Sequence, residues 1–83
     1  MRRIDELTME INQTSMELEK TKKEMSRLFK ELRSFKKKIE NGLDYDEKEY
    51  EDCVFNNKLI QMKRRKLVTH LHYLNKEFYE ILY

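Results

Sequence analysis

Few side chains in this sequence could ligate a metal or attack a substrate. They are one cysteine, Cys53, two histidines, His70 and His72, and a dense acidic run, DYDEKEYED, from Asp44 to Asp52. None of them falls in a pattern that does chemistry. His70 and His72 stand two apart, so on a helix they point about 200° away from each other and cannot share an ion. Cys53 has no second ligand at metal spacing. Read as a calcium loop from Asp44, the acidic run puts Glu49 where glycine is required and Phe55 where a closing glutamate should stand. No nucleophile–base spacing and no glycine-rich phosphate loop is present. The Asn12-Gln13-Thr14 sequon would require a secreted surface loop. The expectation is a protein that is not an enzyme and uses no metal or cofactor.

The chemistry left to such a chain is binding, and charge is one means to it. Residues 20–38 carry a net +7 and residues 58–66 a net +5, against −3 over 1–19, −6 over 40–52 and −1 over 67–83. If the two basic segments lie side by side, a cationic belt results, with Lys20, Lys23, Arg27, Lys30, Lys37, Lys63, Arg65 and Lys66 as candidate polyanion contacts. Such a belt suits phosphates or an acidic protein surface. A solvated helix exterior looks the same. Base-stacking aromatics are not interleaved with it, since only Phe29, Phe35 and Phe55 lie near.

Composition limits the elements that must position these groups. The chain has 83 residues, 41% charged and 39% hydrophobic, with one glycine and no proline. That leaves little material for the turns of a β fold. A lone cysteine excludes an internal disulfide and points to a reducing compartment. No apolar stretch approaches the ~20 residues needed to cross a bilayer, and the opening MRRIDELTME is too polar for a signal peptide. A cytoplasmic protein is expected.

Counting in sevens from Ile4 as position a, the a residues are Ile4, Ile11, Leu18, Met25, Leu32 and Ile39, all apolar. The d residues are Leu7, Thr14, Thr21, Leu28 and Phe35. Counting again from Tyr50, the d residues Cys53, Ile60, Leu67, Leu74 and Ile81 are all apolar, while Asn57 and Arg64 interrupt the a row. Each half therefore predicts a long helix with a seam for another helix. The poor helix formers Asn12 to Ser15 do not shift the register, so the first helix runs on through them.

The only glycine falls between the seams. Asn41-Gly42 ends a helix through a left-handed residue. Asp46 and Glu49 have capping-box spacing, and Tyr45 and Tyr50 that of a hydrophobic staple. The fold predicted is all-α: one antiparallel two-helix hairpin of coiled-coil type over residues 1–83, with helices at about 3–41 and 46–82 and a turn at 42–45. Folding there pairs residues whose numbers sum to about 89, such as Ile11 with Phe78 and Leu18 with Leu71. Asn57 then falls opposite Leu32, and Arg64 opposite Met25, either paired with Glu24 or extended to water along its apolar stem.

Two helices bury little, so self-association or a partner should complete the core. Met9 and Met16 face away from the seam, and the last stretch is apolar on more than one face. Met9, Met16, Tyr73, Tyr79 and Leu82 are the candidate protein-binding residues at the open end. The functional expectation is a non-enzymatic protein-binding hairpin: a small adaptor, co-chaperone, inhibitor or subunit of a larger assembly. The alternative is a hairpin dimer that binds nucleic acid through the basic belt.

Overall fold

A computed structural model of the chain describes residues 2–83, with side chains from Arg3 onward. Helix α1 spans Arg2–Glu40 and helix α2 spans Glu47–Leu82. They pack antiparallel as a rod of 61 × 17 × 14 Å. The radius of gyration is 18.5 Å, where a compact domain of this length would have about 12 Å.

The break between the helices follows from three residues. Gly42 has φ +66°, a conformation that glycine adopts without a Cβ penalty. The Leu43 amide donates to the Lys38 carbonyl at 2.8 Å and the Gly42 amide to Ile39 at 3.2 Å, closing the end of α1 as a Schellman motif. Asp46 caps α2: its Oδ1 accepts from the Lys48 and Glu49 amides at 2.9 and 3.2 Å. The Tyr45 and Tyr50 rings meet edge to face at 5.9 Å, and Tyr50 meets Phe35 at 5.7 Å. The turn is thereby stapled to both helices.

Cross-helix contacts fix the register. Asn57 Nδ2 donates to the Leu28 carbonyl at 3.3 Å, and Phe35 meets Tyr50; both pairs of numbers sum to 85. The expected pairing about a sum of 89 is displaced by one helical turn. The reason is geometric. A heptad advances three residues from a to d and four from d to the next a. Read in opposite directions on two helices, those steps coincide only when a on one helix is level with d on the other. A sum of 89 pairs a with a, which suits parallel helices. In the observed register Leu18 is level with Leu67, Ile11 with Leu74 and Arg64 with Thr21. Arg64 is exposed and Glu24 pairs with Arg27 at 3.9 Å, so the arginine head group goes to water.

The core is narrow and lopsided. Leu7, Leu18, Leu28, Cys53, Ile60 and Leu74 are its buried apolar side chains. Seven of the ten d positions are buried, but only Leu18 and Asn57 of the eleven a positions. The buried d row includes two threonines, Thr14 and Thr21, and Thr21 satisfies its hydroxyl on the Glu17 carbonyl at 2.8 Å. The a row is the more apolar of the two in α1 and yet the more open.

Candidate functional site

The five residues expected at the open end are all exposed: Met9 62%, Met16 63%, Tyr73 64%, Tyr79 61% and Leu82 48%. The fold does not bring them onto one surface. Met9 and Met16 are at f positions of α1, which point away from α2. Tyr73 and Tyr79 are at c and b of α2, on the opposite side of the rod. Leu82 is at e, on the flank between the helices. Met9 and Met16 share the outer row of α1, while Tyr73 and Tyr79 flank the outer row of α2 on either side.

That outer face of α2 carries more apolar surface than the sequence reading assigned to it. Phe55, Leu59 and Met62 are exposed by 60%, 47% and 54%. Spaced four and three apart, they form a stripe on the c and f rows, which continues through Lys66 and Thr69 to Tyr73. At its far end the Tyr79 and Tyr83 rings stack at 6.2 Å, lining a shallow groove with His72, Asn75, Lys76 and Glu80. The signal for Phe55, Leu59 and Met62 was a second heptad phase within α2. It was hidden because a helix reading starts from its strongest seam.

The basic belt is divided by the register. Residues 58–66 lie level with 19–27, so only that part of the α1 basic run has a basic neighbour. Lys37 lies level with Lys48 in the acidic start of α2, and Lys30 lies level with Phe55. The two groups meet in part, since Arg27 and Lys63 line one groove, but the outer lysines of α1 face away from Arg65. Lys23, Lys30 and Lys37 follow the outer row of α1, where Lys30 and Lys37 line a shallow groove with Arg33 and Ser34. Lys63, Arg65 and Lys66 belong to α2. Arg27 is held by Glu24 and by Glu31 at 3.2 Å. Lys20, Lys23, Lys30, Lys37, Lys63, Arg65 and Lys66 make no ion pair among the described residues. No single straight polyanion can touch all eight cations.

At the open end Arg3 grips Glu77 with two charge-assisted bonds, Nε to Oε1 at 2.9 Å and Nη2 to Oε2 at 2.8 Å. The Arg3 hydrogen bonds hold the Glu77 carboxyl below its usual range. Cys53 is buried, and loss of water pushes its thiol above the ordinary value. Asn57 Nδ2 also donates to the Cys53 carbonyl at 2.9 Å, while its Oδ1 is buried without a partner. His70 and His72 are exposed, and among the described residues no three His, Cys, Asp or Glu side chains gather as a metal set would. No helix among the described residues is long and apolar enough to cross a membrane.

Protein-family models, curated proteins and solved structures return no significant match to this chain. What the hairpin can do must therefore be argued from its own surfaces.

Proposed function

We propose that this protein is a non-enzymatic helical hairpin that works by binding another protein along the outer face of α2, as a small adaptor, co-chaperone, inhibitor or assembly subunit does. The observation that carries the reading is the Phe55–Leu59–Met62 stripe. Three large apolar side chains at helical spacing stand exposed on a face that the intramolecular seam does not use. Exposed apolar residues are ordinary when scattered and informative when aligned. The stripe has the spacing with which one helix seats in the groove of another or of a helix pair. Tyr73 extends the same stripe with a side chain favoured at interfaces.

A polyanion reading draws on the unpaired lysines, but the divided belt weakens it. One experiment separates the two. A photo-reactive amino acid is placed at Met62 in one variant and at Lys30 in another, and each is irradiated in the native host. The proposal expects a discrete protein adduct from Met62 that is lost on Phe55→Lys. Nucleic-acid adducts from Lys30, with no protein adduct from Met62, would replace it with the polyanion reading.

A further inference from the structure

The two flanks of the hairpin differ in kind. In an antiparallel pair the e rows of both helices share one flank and the g rows the other. On the g flank nine of eleven positions are charged and none is apolar, and the Arg3–Glu77 pair closes it at the open end. On the e flank only Lys22 and Lys36 are charged, while Phe29, Val54, Val68 and Leu82 are apolar. Phe29, Val68 and Leu82 are exposed by 42%, 44% and 48%. The a row lies beside e, and d lies beside g. The open a row and the buried d row therefore report the same asymmetry independently: the seam is closed on the charged flank and gapes on the apolar one.

Surface area shows how much is left to cover. The hairpin exposes 6966 Å², whereas a compact monomer of its mass exposes about 5,400 Å², an excess of roughly 1,600 Å². A stable interface buries about 800 Å² per partner. The excess exceeds one such patch.

We infer that the e flank is covered by a second copy of this chain, in a four-helix bundle whose two turns lie at the same end. A two-fold axis in this flank can run along the rod or across it, and the rim charges choose between them. With the axis along the rod, α1 of one copy lies beside α2 of the other at equal level. The b rows then set Arg33 against Glu51 of the second copy and Glu19 against Arg65, each twice by symmetry, with no like charges opposed. With the axis across the rod, Arg65 meets Arg65 and Lys22 meets Lys22 at the axis, and Asp5 approaches Glu40. The axis along the rod is favoured. The Phe55–Leu59–Met62 stripe on the c and f rows stays free in this dimer, so this inference and the partner reading fail separately.

The test is sedimentation equilibrium on the full chain at low ionic strength, with circular dichroism to confirm folding. The wild type should be a dimer at micromolar concentration. Phe29→Glu with Val68→Glu, at exposed positions, should give a helical monomer, and Phe55→Lys with Met62→Lys should leave the dimer intact. Arg65→Glu turns two attractions into two repulsions and should raise the dissociation constant about tenfold. Adding Glu19→Arg to it should restore the wild-type value. A wild type that stays monomeric, or whose dimer ignores the flank variant, would overturn the inference and leave the flank to a different chain. A dimer that loses stability with Arg65→Glu but is not restored by Glu19→Arg would overturn the arrangement of the copies.

Discussion

Asn57 donates its side-chain amide across the seam to the Leu28 carbonyl at 3.3 Å and along its own helix to the Cys53 carbonyl at 2.9 Å. Both acceptors are helix carbonyls that the backbone already serves. Neither is orphaned if the amide is removed. The Asn57 Oδ1, by contrast, is buried with no partner, a cost of about 1–3 kcal/mol. Asn57→Leu should therefore raise stability by about 1 kcal/mol in urea melts while loosening the register, because a polar a residue disfavours wrong pairings. A loss of stability would mean that the amide bonds outweigh the orphaned oxygen.

The turn should respond through its backbone and its cap. No atom lies within 4 Å of a Cβ built on Gly42, so strain there comes only from the positive φ. Gly42→Val should cost about 1 kcal/mol or more. A D-alanine at the same position, introduced by chemical synthesis, should cost nothing. Asp46→Ala should cost about 1 kcal/mol through the lost cap. Thermal melts that leave both L-variants unchanged would place the helix ends elsewhere.

Acid should loosen the open end first. The Glu77 carboxyl is held below its ordinary value of 4.5 by its hydrogen bond to Arg3. A depressed carboxyl contributes stability that is present above the unfolded value and is lost as pH falls through the folded one. Hydrogen exchange of the terminal turns, taken relative to the intrinsic rate at each pH, should accelerate below pH 4.5 in the wild type. In Glu77→Gln it should be fast already at neutral pH and change little with acid. Both groups are exposed, so the effect should stay local to the ends.

Cys53 should behave as core. Buried, and with its thiol pushed up by loss of water, it should react with a thiol reagent only as fast as the hairpin opens. Its labelling rate should fall with any variant that stabilises the fold, Asn57→Leu included. Labelling at the rate of a free thiol in the native state would contradict the burial.

Reversing Lys23, Lys30 and Lys37 to Glu should leave helicity and melting close to wild type, since all three are exposed and unpaired. Association with heparin as a generic polyanion should weaken and lose salt dependence. If heparin binding is unchanged from low to high salt, these lysines only keep the surface hydrated.

Helices, turn and direction were legible because each rests on local chemistry. Gly42 and Asp46 punctuate the chain, and the heptads on either side are long enough to average over soft spots such as Asn12 to Ser15. The register was legible too, but only to a reader who reversed one heptad before aligning it. Aligning Leu18 with Leu71 misses by a turn for that reason alone. The burial of Thr14 and Thr21 above that of Ile11 and Met25 was not legible. It depends on which flank of the seam stays open, and so on the contrast between charged g rows and apolar e rows across both helices. The Phe55–Leu59–Met62 face was written in the sequence but masked by the stronger seam beside it. The division of the belt follows from the register and was lost with it.

The central claim is an antiparallel hairpin in which a is level with d, and the Tyr50 ring reports it most directly. In the observed register Tyr50 packs edge to face on Phe35, ring centres 5.7 Å apart. In the displaced register it would lie against Ile39. A nuclear Overhauser spectrum of the folded protein should show the strongest inter-helix contacts of the Tyr50 ring protons to the Phe35 ring, together with contacts from the Asn57 side-chain amide to Leu28. Tyr50 contacts dominated by the Ile39 methyls, with Asn57 reporting on Leu32, would contradict the account.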